Sequence, residues 1–198
     1  VSSNSTSMVH SEQMFPLKGV IRLGHSTARG SDQIENHTQF DLHSVAVVRR
    51  WTWEKEEEKG QPGWEGMWIG NMIPNQSTRI AYVPLQFVAD KVPFADERAA
   101  EEKLETEKQL RLEPLFKLAY DPAQLEPGEV RLVARIDEPF PGEIVVPAAS
   151  QLKSATVVVA HLAYGPLLPP KPDNNTKRDI KADKDEPLSE RAELEAMN

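Results

Sequence analysis

All four tryptophans lie between positions 51 and 68, a clustering that points to chemistry before any other feature does. Trp51 and Trp53 share parity, as do Trp64 and Trp68, so each pair falls on one face of an extended segment. Indoles arranged this way offer a platform on which a sugar ring or a base stacks with little entropic loss. The competing account is that these large side chains fill the core and cover a hairpin. A third is a protein interface, where tryptophan is enriched. The second constellation is His25, Asp41 and His43. On a strand Asp41 and His43 project from the same face, and imidazole with carboxylate is a donor set that zinc accepts. The spacing matches no established metal pattern, and solvated or hydrogen-bonded histidines explain the same residues. His161, in the apolar run 157–162, reads as a histidine at a sheet surface.

Nucleophilic catalysis needs a serine at a strained elbow with a histidine and a carboxylate close in space. The sequence has no Gly-x-Ser-x-Gly, no His-Glu-x-x-His and no glycine-rich phosphate loop. Ser26 beside His25 and Ser44 beside His43 are neighbours only in sequence, and a strand sends such neighbours to opposite faces. The carboxylates concentrate in Glu54 to Glu58 and in 95–111, where solvated charge accounts for them. The expectation is therefore a non-enzymatic protein without a cofactor.

The elements that must position these residues are mostly strands. Apolar residues recur with period two, and Val, Ile and aromatics dominate. Seven segments qualify: Met14 to Leu23, His37 to Trp53, Trp64 to Met72, Thr78 to Val88, Val130 to Ile136, Glu143 to Val146 and Ala155 to Tyr164. The first four look like a meander, with a charged loop at 54–63 and a parity slip between Leu42 and Val45 that predicts a bulge. Val130, Leu132, Ala134 and Ile136 alternate as in a strand with one wet face. Ala155 to Tyr164 is the most apolar segment and a candidate for the sheet centre. Between Ala95 and Arg111 the pattern changes to good helix formers, with Asp96 as N-cap and Glu107 to Arg111 a favourable i,i+4 pair. Pro114 opens a second short helix, Leu115 to Tyr120.

Seven strands and one helical insertion, at 95–119, predict a mainly β protein, an antiparallel β-sandwich of the immunoglobulin-like or fibronectin-like kind. The sandwich should occupy 12–168, between a polar tail at 1–11 and a flexible charged tail at 169–198. Two small domains, 12–93 and 115–168, are the alternative division.

Composition limits the function classes. The chain has 198 residues, a net charge of −8 and no cysteine. Thiolate metal sites, disulfides and cysteine catalysis are excluded. The first 53 residues are near neutral and every later block is acidic, which disfavours nucleic acid. No stretch approaches the roughly 20 apolar residues of a membrane span. A start at Val1 followed by a Ser-rich run reads as a piece of a longer product. Four Asn-x-Ser/Thr sequons, at Asn4, Asn36, Asn75 and Asn174, fall in segments read as loops or tails. They are surface glycan sites in a secreted eukaryotic protein and coincidence in a bacterial one.

Residues 127–162, from Pro127-Gly128-Glu129-Val130-Arg131-Leu132-Val133-Ala134-Arg135 through Pro147-Ala148-Ala149-Ser150-Gln151 to Ala155-Thr156-Val157-Val158-Val159-Ala160-His161-Leu162, resemble a segment of large uncharacterised bacterial envelope proteins. The resemblance implies an extracytoplasmic part attached to transmembrane helices, and it brings no catalytic residues. The expected function is thus a non-enzymatic extracytoplasmic binding module of a larger membrane-anchored protein, with a protein partner in the cell envelope. An edge strand at Met14 to Leu23 offers a route to a homodimer. The alternatives are a carbohydrate-binding module using Trp51, Trp53, Trp64 or Trp68, and a metal-dependent hydrolase using His25, Asp41 and His43. A cytoplasmic location is the alternative to an extracytoplasmic one.

Overall fold

The computed structural model describes residues 14, 17–26, 31–86, 90–103, 112–138 and 154–164. The chain divides into two units, Val1–Leu167 and Leu168–Asn198, and every described residue belongs to the first. The expected strand at 143–146, the Glu107–Arg111 pair, both tails and the sequons at Asn4 and Asn174 lie outside the described residues.

In chain order the elements are β1 (Ile21–Ser26), β2 (Ser31–Asn36), β3 (Leu42–Arg50), α1 (Trp53–Lys59), β4 (Trp64–Met72), β5 (Ser77–Ile80), β6 (Val83–Pro84), α2 (Ala95–Glu102), α3 (Glu113–Ala119), a 3-10 turn at Pro122–Gln124, β7 (Val130–Ile136) and β8 (Thr156–Leu162). The protein is mainly β, with two antiparallel sheets. One has the order β1–β2–β5, the other β6–β4–β3–β7–β8. An isolated parallel bridge between Leu23 and Tyr164 joins them at one corner. Because β3 pairs with β7, the five-stranded sheet draws strands from both sides of the helical insertion.

Two apolar layers explain the arrangement. Between the sheets, Leu23, Ile34 and Ile80 share one buried cluster with Phe40, Leu42, Val45, Val47, Leu132, Ala134 and Ile136. Each such side chain contributes on the order of 1.5–3 kcal/mol when fully buried. On the far face of the larger sheet, Ala46 and Val133 pack against Val92, Phe116, Ala119 and Tyr120 of the helical segment. The central strands β3 and β7 are therefore covered on both faces, which explains the continuous run Val45-Ala46-Val47-Val48.

The expected bulge is present. The β3 register shifts between Leu42 and Val45, Ser44 adopts φ 52°, and the Tyr120 hydroxyl donates to the Ser44 carbonyl over 2.9 Å. The helical layer thus satisfies a polar group that the bulge removes from the ladder.

Several expectations are corrected. β7 has no wet face: all seven residues are buried, because the helices cover the face carrying Arg131, Val133 and Arg135. Among the described strands, β8 lies at the edge of the larger sheet rather than at its centre. The N-terminal strand runs from Ile21 to Ser26, not from Met14 to Leu23, and its partner β2 was not foreseen. The first four segments do not form a meander, since β1 and β5 both pair with β2 while β3 pairs with β4. The segment read as Thr78 to Val88 is broken into β5 and β6.

The charged segment 54–63 is helix α1 for most of its length. Thr52 is its N-cap, Glu54 and Glu56 sit in its first turn and Lys59 in its last, and Gly60 closes it at φ 72°. The N-cap of α2 is Phe94 rather than Asp96, which lies in the first turn. Helix α3 starts at Glu113, so Pro114 takes its second position.

Candidate functional site

A dense polar constellation surrounds Asp32. This β2 carboxylate is 8% exposed. It accepts hydrogen bonds from His25 Nδ1 of β1 at 2.9 Å, from the Tyr164 hydroxyl at 2.7 Å and from Arg49 Nη1 of β3 at 3.2 Å. Arg49 also binds Glu65 of β4 through Nε at 2.8 Å and Nη2 at 2.6 Å, and its guanidinium lies 3.6 Å from the Tyr82 ring centre. A charge taken out of water persists only when so paired.

The electrostatics follow. Burial raises the Glu65 carboxyl, but the hydrogen bonds and charge of Arg49 and the charge of Lys55 outweigh it, so its pKa lies below the usual range. Burial, then Asp32 as hydrogen-bond partner and charge, pushes Tyr164 up against the opposing pull of Arg49. Burial, with Tyr164 and Asp32 adding to it, pushes Tyr82 up far more.

A histidine oriented by a buried carboxylate is the arrangement of a general base. The His25 side chain is 57% exposed. Among the described residues, however, no serine or threonine hydroxyl bonds to it, and Asp32 is already shared with Tyr164 and Arg49. The cluster is a clasp between sheets. It was not anticipated, because its members come from separate segments with no fixed spacing.

The structure separates the tryptophans. β3 ends at Arg50, so Trp51 and Trp53 do not share a strand face. The Trp51 indole lies against Gly63, where an added Cβ would stand 2.0 Å from its ring carbons, and the ammonium groups of Lys55 and Lys59 stand 4.7 and 5.1 Å from its ring centre. Trp53 opens α1 with 61% exposure, 5.6 Å from the Arg50 guanidinium. Trp64 and Trp68 do share β4, but Trp68 packs against Phe94, ring centres 6.3 Å apart. Trp51 and Trp68 thus pack against different partners, and Trp53 is the exposed one.

The candidate metal ligands are not brought together either. His25 bonds to Asp32 in the smaller sheet, Asp41 is exposed just before β3, and His43 bonds to Asn71 at 3.2 Å in the larger sheet. Among the described residues, no group of three or more His, Asp or Glu is placed to hold a metal ion. His161 bonds to Glu129, as expected of a histidine on a sheet surface.

Asn36, read as a loop sequon, is fully buried in β2. Its amide donates to the Phe40 and Met72 carbonyls at 3.0 and 3.2 Å, and its oxygen accepts from the Thr38 amide and hydroxyl. No donor remains for a glycan. Asn75, in a turn at φ 62°, is exposed.

The sheet edges differ in protection. Native edges are shortened, charged, capped or interrupted by proline to block pairing with other chains. β6 has two residues, one of them Pro84; β5 has four and carries Arg79. β1 carries Arg22 and is met by Tyr164. β8 is seven residues long, Thr156-Val157-Val158-Val159-Ala160-His161-Leu162, with no proline and no lysine, arginine, aspartate or glutamate. Val159 is 43% exposed, and among the described residues no strand pairs with the outer edge of β8.

No helix among the described residues is long and apolar enough to cross a membrane. Comparison of the chain with protein-family models, curated proteins and solved structures gives no match.

Proposed function

We propose that the chain is a non-enzymatic binding module that takes up an extended segment of a partner protein along β8, as part of a larger envelope protein. The observation that carries the reading is that, among the described residues, no strand pairs with the outer edge of β8. Strand addition supplies main-chain hydrogen bonds for affinity, while alternate side chains of the added strand supply specificity. The adjoining core strand β7 is buried on both faces, so the edge is held rigidly and loses little entropy on binding. The extracytoplasmic placement rests on the resemblance of residues 127–162 to envelope proteins. Fractionation of the source cells tests it, and recovery of the intact protein with cytosolic markers would refute it.

The binding mode is tested with ten-residue peptides of alternating Val and Thr. Added peptide should slow amide exchange at alternate residues of Thr156–Leu162. Replacing Val159 by Lys should abolish that protection while leaving thermal stability nearly unchanged, since the side chain is exposed. Unaltered exchange across β8 at saturating peptide would defeat the proposal.

A carbohydrate site is the second reading. It keeps only Trp53, the one tryptophan whose ring is largely exposed.

A further inference from the structure

Resting on the strand-addition reading, we infer that the segment β8 accepts is apolar at its centre and flanked by lysine or arginine. The charges around the strand carry the inference. β8 itself has no fixed charge, and its neighbour β7 delivers carboxylates to both ends. Thr156 pairs with Ile136, which is followed by the exposed Asp137 and Glu138. Leu162 pairs with Val130, which is preceded by Glu129 and the exposed Glu126.

Residues 121–138 and 154–164 together hold five carboxylates, Asp121, Glu126, Glu129, Asp137 and Glu138, against Arg131 and Arg135. Both arginines are buried on the β7 face that the helices cover, at 7% and 3% exposure. Arg135 holds Asp137 at 2.8 Å and Glu129 takes His161 and Arg131, while Glu126, within the field of Arg50, and Glu138 are exposed.

The same charges disfavour a second copy as occupant. Antiparallel pairing of β8 with β8 sets the 137–138 end of one chain against the 126–129 end of the other, acid against acid, in a chain whose net charge is −8. Cationic flanks on an added strand stand two strand spacings, about 9–10 Å, from the β7-end carboxylates, close enough to feel their field at low salt.

The test uses the full chain and three labelled peptides that share an alternating Thr and Val centre and carry paired lysine, serine or glutamate flanks. Anisotropy reports affinity, amide exchange reports the site, and sedimentation reports self-association. Lysine flanks should bind about tenfold tighter than serine flanks at about 0.05 M salt, and the advantage should largely vanish at about 0.5 M. Glutamate flanks should bind weakest. The variant Glu126→Lys/Glu138→Lys, at two exposed positions, should reverse the preference.

Equal affinity for all three peptides, with β8 protected, would overturn the charge inference and leave strand addition standing. No binding and unchanged exchange would overturn both. A chain that sediments as a dimer with β8 protected before any peptide is added would assign the edge to a second copy, and would also overturn the inference.

Discussion

Arg49 on β3 donates from Nη1 to the Asp32 carboxylate on β2 over 3.2 Å, so a cation of the five-stranded sheet grips an anion of the three-stranded one. Replacing Arg49 by Met leaves Asp32 buried with only His25 and Tyr164 as partners. The expected cost is about 2–4 kcal/mol. Adding Asp32→Asn should recover part of it, because an uncompensated charge is then no longer buried. Urea denaturation of the two single variants and the double variant measures the coupling; strictly additive effects would contradict the direct bond.

Gly63 and Gly60 make opposite demands. At Gly63 a Cβ would stand 2.0 Å from the Trp51 ring, so Gly63→Ala must displace the indole from beneath Lys55 and Lys59. It should cost about 1–3 kcal/mol and shift the tryptophan emission to longer wavelength. At Gly60 nothing stands within 4 Å, and only the φ of 72° resists a side chain. Gly60→Ala should cost about 1–2 kcal/mol with an unaltered spectrum.

All three tyrosines, Tyr82, Tyr120 and Tyr164, have hydroxyls raised above the ordinary value, in each case by burial first. A phenol raised in the folded state favours folding while it stays protonated. That contribution is complete below the unfolded value near 10 and is lost as pH climbs above it. Tyrosinate absorbance should therefore stay flat through about pH 10 and rise together with loss of circular dichroism. Normal titration of Tyr120 in the folded protein would contradict the burial of its ring.

Glu65 works in the other direction. Its folded-state pKa is lowered, so its contribution is complete above the ordinary glutamate value of 4.5 and is lost as pH falls through the lower folded value. Glu65→Gln should cost about 1–2 kcal/mol near neutrality, and the gap to the parent should close below about pH 4. Denaturant midpoints across that range give the answer. A gap that widens in acid would reverse the assigned sign.

The elements legible in the sequence were those whose own side chains supply the packing. β3, β4, β7 and β8 announce themselves through Val, Ile and aromatic residues with strand periodicity. β2 does not: Ser31-Asp32-Gln33-Ile34-Glu35-Asn36 buries Asp32 and Asn36 beside a single Ile, and only tertiary partners make those polar groups acceptable. α1 hid behind its charge density, since Glu54 to Glu58 look solvated although Glu56 is buried against Arg50 at 2.7 Å. The arginines of β7 imitated a wet face because long side chains can be covered when their heads find partners, as Arg131 does at the Ala119 carbonyl. Apolar content suggested that β8 was central, but neighbours along a sheet are set by topology and not by hydropathy. The Asp32 clasp had no local signature at all.

The parallel bridge between Leu23 and Tyr164 also determines how the fold would carry mechanical load. Tension applied on the N-terminal side of β1 and on the C-terminal side of Tyr164 pulls two side-by-side segments past each other, in shear. The bridge and the Tyr164 bonds to Asp32 and Arg49 then bear the force together instead of parting one at a time, as they would in peeling. Single-molecule stretching from positions 17 and 164 should give one high rupture peak, and Tyr164→Phe should lower it.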